Sequence, residues 1–226
     1  MSNKVELLSH YGNDLMIVNV ARVSYGKEVS TLEEKDGKLI NYLVKHKHTS
    51  PFRHPQLQFR ITCPIYVERQ LFKHQVGLSA NSISGRYVDF SDTYSTIHEW
   101  RKQSKSSKQG SDGVIEDQLT ASKIETSIID YCKTAYQRLI ELGVSKEQAR
   151  TILPLNLNTS FIWTGSLLAF IHLFNLRIKP DAQQETRQIA QMMLDEVKKL
   201  EGNPFQLTIE AFELSPITPN NQKYKL

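Results

Sequence analysis

Residues Lys73 to Tyr87 read KHQVGLSANSISGRY. Three serines (Ser79, Ser82, Ser84) and two glycines (Gly77, Gly85) stand between Lys73-His74 at one end and Arg86 at the other. A core element would not be this polar. Small hydroxyls and glycines let backbone N–H groups approach an anion closely, and flanking cations neutralise it. The composition points to an anion site, with phosphate the natural ligand. A plain polar surface loop fits the same residue types equally well. An apolar helix pattern precedes the stretch, and Arg86-Tyr87-Val88-Asp89-Phe90, which reads as a strand, follows it.

Toward the N-terminus the pattern is regular. Leu57, Phe59, Ile61 and Cys63 alternate with Gln56, Gln58, Arg60 and Thr62, the period of a strand buried on one face. Pro64 then opens a helix from Ile65 to about His74. Gln70 and His74, four apart, share a face of it and enter the anion stretch together. Upstream, His46-Lys47-His48-Thr49-Ser50-Pro51-Phe52-Arg53-His54 reads as a helix end stopped by Pro51. A metal site is the rival reading there, although no carboxylate or thiolate stands at ligand spacing. Val5 to Leu8 reads as a strand, Gly12-Asn13-Asp14 as a turn and helix cap, and Thr31 to Lys45 as a helix with Leu39, Ile40, Leu43 and Val44 inward.

Toward the C-terminus, Ser91 to about Ser122 is the least ordered part by composition. Within it, 102–113 (KQSKSSKQGSDG) holds no apolar residue and reads as a mobile surface loop. Ile124, Ile128, Cys132, Ala135, Leu139 and Leu142 form one stripe of an amphipathic helix that Gly143 ends. Ser145 to Gln148 has the form of a capping box and starts a short helix carrying Arg150. In 149–182 (ARTILPLNLNTSFIWTGSLLAFIHLFNLRIKPDA), Leu167, Phe170, Ile171 and Phe174 make an apolar helix face. Arg150, Asn156, Ser166, His172 and Arg177 are its polar exceptions. A buried arginine stripped of its partner costs roughly 3–5 kcal/mol, while an exposed paired one is worth about 0–1 kcal/mol. Asp181 to Leu200 is a last long helix, Phe205 to Leu214 a short one, and the tail at about 215–226 reads as flexible.

The 226 residues fit one domain, 1–226, with a variable loop at about 100–120. A net charge of +4 is too mild to imply nucleic acid and suits phosphorylated small molecules. Cys63 and Cys132 lie in unrelated segments, with no ligand spacing for a metal. The N-terminus lacks an apolar signal core, and the most apolar run, Phe161 to Leu176, is interrupted by Thr164, Ser166, His172 and Asn175. These features favour a soluble cytoplasmic protein without membrane or nucleic-acid partners. Neither GxGxxG nor GxxxxGK(S/T) is present, and Ser84 is not in a G-x-S-x-G elbow.

The opening stretch resembles the RHRxxSxNExSxR signature of the flavin-dependent thymidylate synthases. Ser79, Asn81, Ser84 and Arg86 match in residue and mutual spacing, and His74 matches the central histidine. Lys73 and Gln75 replace the flanking arginines, Ser82 replaces a glutamate, and one extra residue separates His74 from Ser79. His48 to His54 fits the family's H-x-S/T-P-F-x-H element. Arg150 and Leu153 to Asn156 fit its AR-x-x-LPLN, and Trp163-Thr164, Leu176-Arg177 and Ala182-Gln183 fit later elements. Ser166, Leu168 and Asp181 depart from the asparagine, arginine and histidine common there, and Ala21-Arg22-Val23-Ser24 adds a further match.

The resemblance implies an α/β (α+β) fold with a central, mostly antiparallel sheet flanked by helices, assembled as a homotetramer with shared active sites. It implies transfer of the methylene of 5,10-methylenetetrahydrofolate to dUMP, reduced by FAD that NADPH recharges, without a protein nucleophile. Arg177 is then the catalytic candidate, contacting the uracil and favouring its N3-ionised form. Gln70, Lys73, Ser82, Ile83, Ser84, Gly85, Arg86 and Arg150 are the further dUMP contacts. Ser50, Lys73, His74, Gln75, Asn81, Ser82, Ser166, Leu168 and His172 are the flavin contacts. A degenerate, non-catalytic nucleotide- or nucleic-acid-binding relative is the alternative, and a flavin reductase or oxidase without methyl transfer is a second.

Overall fold

The chain opens with β1 (Lys4–Tyr11), whose turn at Gly12 feeds α1 (Asp14–Arg22). Asn13 caps α1, its side chain accepting the Met16 N–H at 2.9 Å. Then come α2 (Glu34–Lys45), β2 (Gln56–Pro64), α3 (Ile65–Leu71) and β3 (Leu78–Ser82). A hairpin of β4 (Arg101–Gln103) and β5 (Ser111–Val114) precedes the long α4 (Gln118–Glu141) and the short α5 (Lys146–Ala149). The last elements are β6 (Asn158–Ser166), α6 (Leu167–Arg177), α7 (Gln184–Lys198) and α8 (Gln206–Ala211). The computed structural model describes residues 3–89, 93–105 and 110–213, so the tail read as flexible lies outside them.

The main sheet runs β1-β2-β6-β3, antiparallel throughout, as the resemblance implied. Its buried face is built by the alternation read in Gln56–Cys63, with Leu57, Phe59 and Ile61 fully buried. Phe161 and Trp163 of β6 continue that face, and α6 packs across it. Phe59 meets Phe170 edge-on at 5.1 Å, and Trp163 meets Phe170 at 5.7 Å. Because α6 packs against the sheet, against α7 and against the Ser50–Arg53 turn, it is buried nearly all round, from Leu167 to Ile171 and again at Leu173 and Phe174. α7 closes the layer with Ile189, Met193, Leu194 and Val197.

Several local expectations are corrected. β6, a central strand, went unassigned in the sequence reading. Arg86–Phe90 is not a strand: its described part turns, because the Ser84 carbonyl accepts from the Tyr87 and Val88 N–H groups at 3.0 and 3.1 Å. The real strand is β3, inside the stretch read as a loop. α3 ends at Leu71 rather than His74, finishing in tighter turns from Lys73 N–H to the Gln70 carbonyl and His74 N–H to the Leu71 carbonyl. α2 ends at Lys45 with His46 as its cap, followed by Lys47 at φ 57°, while Pro51 sits in a separate 3-10 turn, Ser50–Arg53. The described part of 102–113 forms the β4–β5 hairpin rather than an unstructured loop. Ser145 caps α5 without a side-chain hydrogen bond. Much of the α4 stripe faces outward: Ile124, Ile128 and Leu142 are all more than half exposed. Among the described residues, no helix is long and apolar enough to cross a membrane, and no three His, Cys, Asp or Glu side chains gather as metal ligands.

Candidate active site

Two polar clusters lie beside β3, an edge strand whose residues Ser79, Ala80, Asn81 and Ser82 are exposed. The first centres on Arg177, the last residue of α6. Its Nε donates to His74 Nε2 at 3.1 Å, and a terminal nitrogen donates to the Gln70 carbonyl at 3.1 Å. With two of its nitrogens held, the plane of the guanidinium is fixed. The sharp end of α3 brings Gln70 and His74 to one partner although they no longer share a helix face. Accepting from Arg177 requires a neutral imidazole, and burial, then Arg177, then His172 push His74 down to about 4. His172 is itself lowered, by burial and then by Arg53. Burial also lowers Arg177 from its usual value.

The second cluster sits at the other end of β3. The Ile83 N–H donates to the Ser160 carbonyl at 2.8 Å, and Ser84 Oγ accepts the Arg86 N–H at 3.3 Å, folding a tight turn around the buried Gly85. Arg86 stacks over the Tyr87 ring at 5.3 Å and reaches the Glu147 carboxylate at 3.8 Å. Arg150 Nε donates to the Glu147 carbonyl at 3.4 Å. Thus the two arginines expected at a phosphate meet around Glu147 within one chain. Ser82 Oγ donates to Glu68 Oε1 at 2.9 Å, and burial raises the Glu68 carboxyl above its usual range.

Between the clusters, the chain enters β3 through Gly77 at φ 74°. The Gly77 carbonyl accepts the Ser166 N–H at 3.2 Å, and Ser166 Oγ caps α6 by accepting the Ala169 N–H at 3.3 Å. Lys73, Gln75, Asn81, Ile83, His172 and Ser50 present exposed side chains. Leu168 does not: at 5% exposure its side chain belongs to the core. Cys63 is fully buried and its thiol is pushed up to about 12 by burial, so it is no nucleophile. Sequence reasoning missed Glu68, Glu147 and Arg53 as members of the site. Their neighbours gave the only signal, since Glu147 precedes Arg150 by three and Glu68 precedes Gln70 by two.

The profile of the family described as thymidylate synthase complementing protein matches residues 6–201. The chain belongs to the flavin-dependent thymidylate synthase family. Its relatives of that name include one from Thermus thermophilus, 41% identical over 86% of this chain and 71% of that one. Another, from Kosmotoga olearia, is 39% identical over 92% of this chain and 89% of that one. Among solved structures, the UMP/dUMP methylase PolB from Streptomyces cacaoi, bound with 5-Br dUMP, superposes with a TM-score of 0.84 at 27% identity, covering 96% of this chain and 98% of that one. Of the matching motif residues, His74 and Arg177 lie in the first cluster and Ser84, Arg86 and Arg150 in the second.

Proposed function

We propose that this chain, as one domain, methylates dUMP to dTMP, with 5,10-methylenetetrahydrofolate as carbon donor and NADPH-reduced FAD as hydride donor. The observation that carries the reading is the junction of Arg177 with His74 and Gln70 at one end of β3 and the contacts of Arg86 and Arg150 with Glu147 at the other. Neutral His74 fixes Arg177 without adding a second positive charge, so its cation is aimed at a uracil carbonyl and favours the N3-ionised ring. At the other end, the exposed Arg86–Glu147 pair is long at 3.8 Å and worth only about 0–1 kcal/mol. A phosphate dianion displaces that carboxylate at little cost and engages both arginines and the turn at Ser84-Gly85.

The residues present suit a flavin dinucleotide. Arg53 and Lys73 offer cations, Gln75 and Asn81 amides, and Ser50, His172 and, beside Gly77, Ser166 further polar groups. A Cβ at Gly77 would lie 3.3 Å from Ser166 Oγ and 3.4 Å from Ala169 Cβ, so the backbone there runs unusually close to α6. When bound, the reduced flavin supplies the hydride; the side chains bind, orient and exclude water. The degenerate-binder alternative rests on Lys73, Gln75 and Ser82. Glu68, hydrogen-bonded to Ser82, returns a carboxylate to that place and supports the enzyme reading. The exposed apolar face of α4 and the uncovered β3 support a homotetramer with shared sites, and the free thiols of Cys63 and Cys132 accord with a reducing cytoplasm.

Tritium release from dUMP labelled at C5, with FAD, NADPH and methylenetetrahydrofolate, tests the reading. Folate-dependent release that is lost in Arg177→Ala is expected. A wild-type chain that binds FAD and dUMP yet releases nothing refutes it.

A further inference from the structure

We infer that Arg101 and Glu185, neither of them placed in the nucleotide or flavin contacts, are positioning residues that set the orientation of Gln70 and Arg177. The inference rests on the dUMP reading proposed above. Arg101 opens the β4 strand of the hairpin, in a region whose composition gives no hint of a fixed structure. Its Nη2 donates to Glu185 Oε1 at 2.6 Å, and the two side chains are only 17% and 14% exposed. Nε of Arg101 donates to Ser111 Oγ at 2.9 Å, which ties the returning strand to the same guanidinium.

From this ion pair, hydrogen bonds run to the side chain of Gln70, whose own backbone belongs to the first cluster. Glu185 Oε2 accepts Gln183 Nε2 at 2.9 Å. Gln183 Oε1 accepts Gln70 Nε2, and Gln70 Oε1 accepts the hydroxyl of the fully buried Thr186 at 3.0 Å. The main chain of Gln70 in turn holds Arg177 at 3.1 Å. The direction of the relay is dictated at its charged end. A guanidinium only donates and a carboxylate only accepts, so Gln183 must present its nitrogen to Glu185 and its oxygen to Gln70. Gln70 must then point its nitrogen at Gln183 and its oxygen at Thr186. An amide has no other means of telling its two ends apart at this site. Burial alone would raise the Glu185 carboxyl, but the hydrogen bonds from Arg101 and Gln183 outweigh it and hold the group below its usual range, ionised as the relay requires. Without Arg101 the carboxylate is stranded, takes up a proton or turns to water, and both amides lose their fixed sense.

The test compares Arg101→Ala, Arg101→Lys and Glu185→Gln with Lys102→Ala. Lys102 lies on the same hairpin, and its exposed amine is 3.8 Å from Glu116. In the full FAD-loaded protein, dUMP affinity is read by calorimetry, flavin retention by visible absorbance, and turnover by tritium release. Arg101→Ala and Glu185→Gln should weaken dUMP binding about tenfold, a coupling of roughly 1.4 kcal/mol within one network, with flavin retention unchanged. Arg101→Lys should recover most of the loss, and Lys102→Ala should show none. If Arg101→Ala melts too low to assay, the isosteric Glu185→Gln carries the comparison with the same expectation. Wild-type dUMP affinity in both relay variants, or an equal loss in Lys102→Ala, overturns the positioning role and leaves the synthase reading intact. A wild-type chain that neither binds dUMP nor releases tritium overturns both.

Discussion

Gly165→Ala should cripple the site without touching any of its polar groups. Gly165 pairs with Leu78 where β3 begins, and a Cβ there would lie 2.4 Å from the Gly77 carbonyl oxygen and 2.4 Å from Leu78 Cδ2. Ordinary contact starts at 3.4 Å, so β3 and β6 must part by about 1 Å. Leu78 can rotate, but the carbonyl is backbone. Its displacement also strains the Ser166 N–H bond it accepts at 3.2 Å. Overpacking costs about 1–3 kcal/mol and a lost hydrogen bond about 0.5–1.5 kcal/mol, together roughly 2–4 kcal/mol. For a chain of this size that lowers Tm by roughly 5–12 °C. The same shift carries 73–77, with His74, away from Arg177, and a misplacement of about 1 Å can cost on the order of 100-fold in rate. Scanning calorimetry and tritium release on the same preparation measure both effects. An alanine variant with wild-type melting and turnover would falsify the argument that this close approach holds the edge strand. The contrast is Gly77→Ala, where the nearest contact is 3.3 Å and the cost is left-handed backbone strain of about 1–2 kcal/mol.

Asp14, 2% exposed, caps α8 by accepting the Leu207 N–H at 2.7 Å and the Thr208 hydroxyl at 2.6 Å, yet burial pushes its carboxyl up to about 6. A folded pKa above the ordinary 3.8 means that this group's stability is fully present below 3.8 and is lost as pH rises through about 6, roughly 2–3 kcal/mol in all. Asp14→Asn should therefore gain stability relative to wild type between about pH 4 and pH 7.5, and a denaturation series with a flat difference would sink the idea. His74, held near 4 rather than 6.5, should keep its Arg177 bond across the neutral range, while the associated stability, full above about 6.5, is lost progressively as pH falls to about 4. An NMR titration in which the His74 ring protonates near 6.5 would contradict this. Ile128→Asp on the exposed face of α4 should shift the assembly toward monomers by light scattering and reduce turnover; an unchanged mass would remove α4 from the interface. Restoring the family's carboxylate by Ser82→Glu should weaken dUMP binding, because the new group lands beside Glu68, and adding Glu68→Gln should recover it. Tighter binding by the single variant would count against Glu68 as the substitute.

Where the sequence spoke clearly about the fold, a single local rule was enough. Gln56–Cys63 alternates cleanly because β2 lies between β1 and β6 with one face on the core, and Asn13 and Gly143 mark helix ends by their own chemistry. β6 obeys the same period, yet it was not assigned. Thr159 falls on its buried face and Ile162 on the other, so polarity does not track the pleat although burial does. β3 was hidden for a different reason. Ser79, Asn81 and Ser82 are poor strand formers, and the strand exists because Gly165 lets it approach β6, a fact recorded 80 or more residues away. The hairpin at 101–114 was misread in the same way, since Glu185 fixes it from α7.

The site was legible to the extent that its motifs are local. His74, Arg86, Arg150 and Arg177 stand out in the sequence, and the structure joins the first to the last and brings the middle two each to a different group of Glu147. What no local pattern carries is the partner that sets each charge. Arg177 is useful as a fixed cation only because His74 is neutral, and His74 is neutral because burial, Arg177 itself and His172 act on it together. The departures from the signature follow the same logic. Ser82 looks like a lost carboxylate when the motif is read alone, but Glu68 stands one hydrogen bond away on α3, with its pKa raised by burial. A carboxylate on the helix thus stands beside position 82, whose hydroxyl donates to it. That proximity needs both elements to be packed together before it is visible, which is why the motif read alone keeps a degenerate binder open as the alternative.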